Sequence, residues 1–233
     1  MKINQFLFFP FLWIFIFSCK KDSASLNIDY PSNYHKSGIK PNGNLRVFSS
    51  TGEIRDQSVI SRFNETNSSS FSAVADVIGN HPGKMDSVKF SDAQHASMNN
   101  NYIPLNCLVS QESATIILTR TDTSLGSTYL NELTHDIYYY IGQVKPDVYA
   151  EYLISSTRGD FYFGYSAREK FILNLSGSQI VAPLVQYNLY LAGLNNGTYF
   201  NGYVNNNLQN DFYKNMNAGD TVTLREYLVT YEK

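Results

Sequence analysis

Residues 147–175 read DVYAEYLISSTRGDFYFGYSAREKFILNL. Three runs within this stretch, 147–155, 159–165 and 169–175, are rich in β-branched and aromatic residues, with turn-forming residues between them. Short runs of this kind, spaced by about ten residues, are typical of antiparallel sandwiches and barrels.

The same pattern extends in both directions along the chain. Further strand-like runs occupy 84–90, 113–119 and 136–143, and residues 44–48 predict a strand that a turn follows at 49–52. The chain also contains 18 Tyr and 15 Phe, which favour strands. The sequence therefore predicts a mainly β fold, an antiparallel sandwich or barrel with two or three short helices.

Asp56 marks the start of one predicted helix. Its side chain suits the N-cap position, where an Asp oxygen accepts hydrogen bonds from first-turn amides. Val59, Ile60 and Phe63 follow at spacings that place them on one helix face. Residues 180–191 are apolar nearly all round, so a helix and a buried strand both remain open there.

The C-terminal part carries a second predicted helix and a final strand. Residues 206–216 predict a short amphipathic helix because their large apolar residues are four apart. Residues 221–231 predict a strand whose apolar phase shifts near Arg225 and Glu226, which indicates a bulge or an exchange of the buried face. We expect this strand to pair with an early strand such as 44–48.

The first eighteen residues have the organisation of a secretory signal. Lys2 precedes an almost unbroken apolar stretch from Phe6 to Phe17. This stretch is short of the ~20 residues that a bilayer-spanning helix needs, and it suits the core of a signal peptide. We therefore predict that residues 1–18 form a cleaved signal peptide.

The stretch ends in Ile16-Phe17-Ser18-Cys19, which places a small residue directly before a cysteine. This ending resembles the lipobox of bacterial lipoproteins. The Phe-rich core followed by Ser-Cys-Lys-Lys-Asp is similar to lipoproteins of Bacteroidota. The resemblance implies cleavage between Ser18 and Cys19 by signal peptidase II. It also implies lipidation of Cys19 with diacylglycerol and a place in the cell envelope, on the periplasmic or the surface face of the outer membrane.

The residues after Cys19 predict a tether. Residues 20–42 are rich in Ser and Asn and have no apolar period, so we expect ordered structure to begin near Gly43. The predicted organisation is a signal peptide at 1–18, a lipidated N-terminus and tether at 19–42, and a single β-rich domain at 43–233. Acyl chains add about 0.8 kcal/mol of membrane affinity per buried CH₂, so the lipid alone can anchor the domain.

Three further segments carry resemblances. Asp22-Ser23-Ala24 resembles the acceptor for O-glycosylation in Bacteroidota, which makes Ser23 the candidate site because it lies in the accessible tether. Residues 44–63 resemble a segment of uncharacterised secreted lipoproteins of Bacteroidota, whose closing segment resembles residues 219–227. This second resemblance implies one co-linear domain and brings no activity with it.

Cysteine and charge counts narrow the possible partners. With Cys19 assigned to lipid, Cys107 is the remaining cysteine, so no internal disulfide can form. Cys107 lies in an apolar run, which favours a small buried side chain over a nucleophile. The chain's net charge of −2 supplies no basic footprint for nucleic acid.

Catalytic and metal-binding motifs are not found in the sequence. The four histidines, at 35, 81, 95 and 135, show no zinc-ligand spacing. Two pairs, Asp92 with His95 and His135 with Asp136, are the candidates for acid/base or metal chemistry. Ser37 and Lys40 match Ser-x-x-Lys but lack the companion motifs of serine acyl-enzymes.

Carboxylates for glycoside hydrolysis would have to lie about 5 to 9.5 Å apart in a cleft. The candidates are not distinguished from ordinary surface charge in the sequence; they are Glu132, Asp136, Glu151 and Asp160.

The sequence thus favours a membrane-anchored, non-catalytic binding or scaffolding module without a cofactor, whose ligand or protein partner stays open. A barrel holding an apolar ligand fits this class. The alternative is a lipid-anchored hydrolase of envelope or dietary polymers, which a concave carboxylate cluster or a His-Asp pair would favour.

Overall fold

The computed structural model describes residues 28–63, 65, 84–100, 103–129, 141–155, 161–192 and 198–233. The strands are, in chain order, β1 (Ser32–Pro41), β2 (Arg46–Ser49), β3 (Gly52–Ile54), β4 (Lys84–Phe90), β5 (His95–Asn100), β6 (Ile103–Glu112), β7 (Thr115–Arg120), β8 (Ser124–Tyr129), β9 (Asp147–Ser155), β10 (Phe161–Arg168), β11 (Lys170–Ser176), β12 (Gln179–Leu191), β13 (Thr198–Val204) and β14 (Thr221–Glu232). A helix includes residues 57–63, and a 3₁₀ helix spans Phe212–Asn215.

Eight of these strands close into an antiparallel barrel. The order around it is β12, β11, β7, β6, β5, β4, β1 and β14, and the pairing of β14 with β12 completes the circle. Strands β8, β10 and β9 form a separate sheet of three strands. The predicted mainly β, antiparallel fold is confirmed, and the closed pairing selects a barrel from the two predicted alternatives.

Strands β12 and β14 continue beyond one end of the barrel. There β13 pairs with residues 185–191 of β12, β2 pairs with residues 221–224 of β14, and β3 pairs with β2. We call these five strands, in the order β13, β12, β14, β2 and β3, the extension sheet. The predicted pairing of the C-terminal strand with the early strand at 44–48 is therefore confirmed.

Two hydrophobic cores lie on opposite faces of the β12–β14 pair. The barrel core is packed with Tyr34, Phe90, Phe171, Tyr231 and smaller apolar side chains. The second core lies against the extension sheet and contains Phe48, Phe212, Leu189 and Val222. Since neighbouring residues of a strand point to opposite faces, each long strand contributes alternate faces to the two cores.

The phase shift at Arg225 and Glu226 is the point where β14 changes from one core to the other. Leu224 is buried in the second core, and Tyr227 is buried in the barrel core. The register between β12 and β14 is continuous through this point, from Ile180 opposite Tyr231 to Tyr190 opposite Thr221. The predicted exchange of the buried face is confirmed, and no bulge occurs in this pairing.

The predicted tether at 19–42, with order from Gly43, is wrong for the residues from Ile28 onward. Ile28 is buried in the barrel core, and residues 32–41 form β1, which pairs with β14 and β4. Backbone pairing on both sides, rather than an apolar pattern, holds this strand in the barrel. Only Tyr34 and Ile39 contribute large apolar side chains from it to the barrel core.

The predicted helix over 206–216 is also wrong, apart from the single 3₁₀ turn at Phe212–Asn215. The backbone of this segment bonds instead to residues 141–143: Gln209 N–H donates to the Ile141 carbonyl at 2.7 Å, and Gln143 N–H donates to the Asn207 carbonyl at 2.9 Å. The apolar residues of the segment still pack in or against the second core; they are Leu208, Phe212 and Met216.

Other sequence-based predictions are confirmed. Asp56 caps the helix, since its Oδ1 accepts a hydrogen bond from the Ser58 amide at 2.8 Å. Residues 180–191, left open between helix and strand, belong to β12.

The predicted strand at 136–143 lies mostly outside the described residues. Within the described part of the chain, no helix is long and apolar enough to cross a membrane.

Candidate ligand-binding cleft

A cleft of about 670 Å³ opens at the β2–β3 side of the extension sheet. It lies where the start of β2, the end of β3, the helix at 57–63 and β14 come together. We call it the arginine cleft, and its lining residues are Asn44, Leu45, Arg46, Glu53, Ile54, Arg55, Gln57, Ile60 and Arg225. Its volume falls in the range of about 300–1,000 Å³ that is usual for small-molecule sites.

Local structure explains how these residues meet. The β2–β3 hairpin has a two-residue loop, and Gly52 follows it with a φ of 124°, which a side chain would disfavour. The chain then turns at Asp56 into the helix that carries Ile60. The cross-strand pair Leu224–Arg46 places Arg225 beside the start of β2, although 179 positions separate Arg46 and Arg225.

Arg46 is held in place by two carboxylates. Its Nε and Nη2 donate to the two oxygens of Glu53 at 2.9 and 3.1 Å, and its Nη1 lies 3.5 Å from a Glu226 oxygen. The guanidinium also lies 4.8 Å from the centre of the Phe48 ring. The hydrogen bond from Arg46 is the main reason that the pKa of Glu53 is lowered. These contacts make Arg46 a fixed wall of the cleft.

Arg225 and Arg55 have no such partners. Neither side chain makes a hydrogen bond or an ion pair with a described residue, and the Nε of Arg225 is buried without an acceptor there. Arg55 is exposed, and its charge adds a smaller contribution to the lowered pKa of Glu53. Two guanidinium groups of the cleft are thus available to a ligand.

The cleft is cationic in a chain whose net charge is −2. Three arginines and one glutamate line it, and that glutamate is bound by Arg46. Leu45, Ile54 and Ile60 supply apolar surface between the charged groups. A guanidinium binds carboxylate, phosphate or sulfonate oxygens through paired N–H donors. The arrangement suits an anion with an apolar portion.

A second, smaller pocket of about 180 Å³ is lined by residues of β11, β13 and the segment 142–146. Asn206 clamps that segment, since its Nδ2 donates to the Val144 carbonyl at 2.7 Å and its Oδ1 accepts from the Val144 amide at 3.1 Å. The charged groups at this pocket are already paired, Glu169 with Arg120 and Lys170 with Asp147. It is therefore the weaker candidate for a charged ligand.

The structure brings one predicted pair together. Asp92 lies in the β4–β5 turn and His95 begins β5, and both Asp92 oxygens are 3.0 Å from His95 Nδ1. Asp92 also accepts hydrogen bonds from the amides of Gln94 and His95, and the first of these is the main cause of its lowered pKa. Both side chains are exposed on a turn rather than in a cleft, so the pair stabilises the hairpin.

Two other candidates from the sequence, Cys107 and the Ser37–Lys40 pair, lie within the described residues. Cys107 is 1% exposed inside the barrel, and burial raises the pKa of its thiol to about 12, so the prediction of a buried apolar-like cysteine is confirmed. Ser37 and Lys40 lie on β1, where Ser37 Oγ donates to the Thr230 carbonyl at 3.3 Å. Both are exposed on the strand, so the serine lies on the outer surface and not in a cleft.

The remaining sequence candidates lie outside the described residues: Ser18, Cys19, Ser23, His81, Glu132, His135, Asp136 and Asp160. Glu151 lies on β9, of which the structure describes the backbone at that position. In the part of the chain that is described, no group of three or more His, Cys, Asp or Glu side chains could hold a metal ion.

The sequence did not identify Arg46, Arg55 and Arg225 as site residues. A signal was nevertheless present, because the two segments that the sequence analysis singled out beside the signal region, 44–63 and 219–227, both contribute to the cleft. Their pairing through β2 and β14 brings them together.

Comparison of the chain with protein-family models, curated proteins and solved structures found no match.

Proposed function

We propose that this chain is a lipid-anchored protein of the bacterial cell envelope, held on the outer membrane through Cys19. The folded part is a non-catalytic module that binds a small anionic ligand in the arginine cleft. The observation that carries the binding proposal is the pair of uncommitted guanidinium groups, Arg55 and Arg225, in a cleft whose one carboxylate is neutralised by Arg46. The sequence Ile16-Phe17-Ser18-Cys19 supports the anchor.

The chemistry of the cleft argues for binding over hydrolysis. A glycosidase-type general acid needs a carboxyl group whose pKa is raised towards neutrality. Glu53 is the carboxylate that lines the cleft, and the hydrogen bond from Arg46 lowers its pKa. It therefore stays ionised and paired, which suits a structural role.

The anchor is tested by expressing the full chain with its own signal and feeding the cells a clickable palmitate. Wild type should be labelled and cleaved, whereas Cys19→Ser should be neither labelled nor cleaved. Equal labelling of the two proteins would refute the anchor.

The binding role is tested by extracting and identifying small molecules that co-purify with the chain from native membranes. An anion enriched on wild type and depleted on Arg225→Gln supports the proposal. The same extract profile from both proteins would count against the arginine cleft as the binding site.

A further inference from the structure

The arginines of the arginine cleft differ in their hydrogen-bond and ion-pair partners. This difference limits the class of ligand that the cleft can bind. Arg46 has its donors directed to Glu53 and Glu226 and is not available to a ligand. Arg225 is partly buried, and its Nε has no acceptor within the described part of the chain. The Nε is covered by neighbouring atoms, so the donors that a ligand can reach are the two Nη groups, which also have no partner in that part of the chain. A charge-assisted hydrogen bond at a partly buried guanidinium is stronger than one at a fully exposed cation.

The apolar lining adds a second requirement. Leu45, which directly precedes β2, lines the cleft together with Ile54 of β3 and Ile60 of the helix. A bare inorganic anion would leave this surface in water. An apolar group attached to the anion would cover it, at a gain that grows with the area removed from water.

We propose that the arginine cleft recognises an amphipathic anion, in which an oxyanion group binds Arg225 and an attached apolar body packs on Leu45, Ile54 and Ile60. Arg55, exposed at the mouth, strengthens the attraction of the anion without fixing its position. This inference rests on the proposed binding function and specifies the class of ligand.

A matched pair of fluorescent probes tests both halves of the inference. 1-Anilinonaphthalene-8-sulfonate carries an oxyanion on an aromatic body, and N-phenyl-1-naphthylamine is the same body without the charge. Each is titrated into the mature chain, residues 20–233, which keeps every described element. The anionic probe should bind about tenfold or more tightly than the neutral one, as expected for a charge-assisted pair worth 1.4 kcal/mol or more.

Variants locate the binding. Arg225→Gln should weaken binding of the anionic probe by about tenfold, and Arg225→Lys should retain part of it because the charge remains while the paired donors are lost. Arg55→Gln should cost less than Arg225→Gln. Lys89→Gln, which removes an exposed charge from the barrel wall, is the control and should change nothing. Thermal melting of each variant checks that it is folded.

Competition identifies the anionic group. Dodecanoate and dodecyl phosphate, each below its micelle concentration, should displace the probe, and their order distinguishes a carboxylate ligand from a phosphate ligand. Dodecanol and inorganic phosphate each supply one half of the ligand and should displace it poorly.

Equal binding of the charged and neutral probes, or full binding to a folded Arg225→Gln protein, would overturn the inference. The co-purification experiment would then still decide whether the cleft binds another class of ligand. Failure of the anionic probe to bind wild type at all would overturn it as well.

Discussion

Leu224 and Tyr227 lie three residues apart on β14, yet their side chains are buried in different cores on opposite faces of the same strand. The pairing of β14 with β12 continues without interruption between them. One pair of strands therefore supports both cores, and neither core is complete without it.

We expect the two cores to unfold together. Leu224→Ala in the second core and Leu184→Ala in the barrel core each remove a fully buried side chain. Each should lower the free energy of unfolding by about 2–5 kcal/mol and shift one common transition in denaturant. Leu108→Ala, at a residue that is 45% exposed, is the control and should change stability little. Two separate transitions in either variant would contradict the shared support.

The Arg46–Glu53 pair should make stability depend on pH. The pKa of Glu53 is lowered in the folded protein, so the pair stabilises the fold above the ordinary carboxyl pKa and is lost as pH falls through the lowered value. Wild type should exceed Glu53→Gln in stability by about 1 kcal/mol or less at pH 7, because the pair is partly exposed. The difference should shrink as the pH is lowered below the ordinary carboxyl pKa, in denaturation at a series of pH values. A difference that grows on acidification would rule out this role.

Cys107 should be unreactive in the folded protein. Burial raises the pKa of its thiol to about 12, so at pH 8 it is protonated as well as inaccessible. In a protein of residues 20–233, where Cys107 is the one cysteine, Ellman's reagent should react with Cys107 slowly under native conditions and rapidly in guanidinium. Melting with and without reductant should give the same midpoint. Fast native labelling would show that the barrel exposes this thiol.

Gly142 is expected to tolerate no side chain. A Cβ there would lie 2.7 Å from Asn206 Nδ2, the atom that donates to the Val144 carbonyl. Gly142→Ala should therefore destabilise the protein by about 1–3 kcal/mol in thermal or denaturant unfolding. Gly38→Ala on β1 is the matched control, since a Cβ there meets nothing within 4 Å. Equal stability of the two variants would show that Asn206 moves away without loss.

The strands that could be predicted from sequence are those with a strong apolar or aromatic pattern, such as β4, β11 and β14. β1 escaped prediction because its ten residues include few large apolar side chains, and its place depends on backbone pairing with β14 and β4. The helix predicted over 206–216 was wrong because apolar residues spaced by four also fit an irregular segment whose backbone bonds to residues 141–143. In that competition, tertiary hydrogen bonds outweigh the weak helix propensity of its Asn residues.

The arginine cleft could not be predicted in the same way. Arg46 and Arg55 on one side and Arg225 on the other come from opposite ends of the domain, and only the register of β2 on β14 makes them neighbours. The spacing of apolar residues along β14 predicts that the buried face changes near Arg225. The sequence named residues 44–48 only as an example of the strand that pairs with β14.

The burial of Ile28 in the barrel core sets how far the barrel could lie from a membrane under the proposed lipid anchor. A lipid on Cys19 would be joined to Ile28 by nine residue steps, a reach of about 30 Å at full extension. β1 begins at the end of the barrel that holds the C-terminus, where Asp29 and Lys233 form an ion pair at 3.2 Å, and the extension sheet leaves from the other end. A protein tied down in this way would stand close over the lipid headgroups and present the arginine cleft away from the bilayer, towards molecules arriving from the surrounding water.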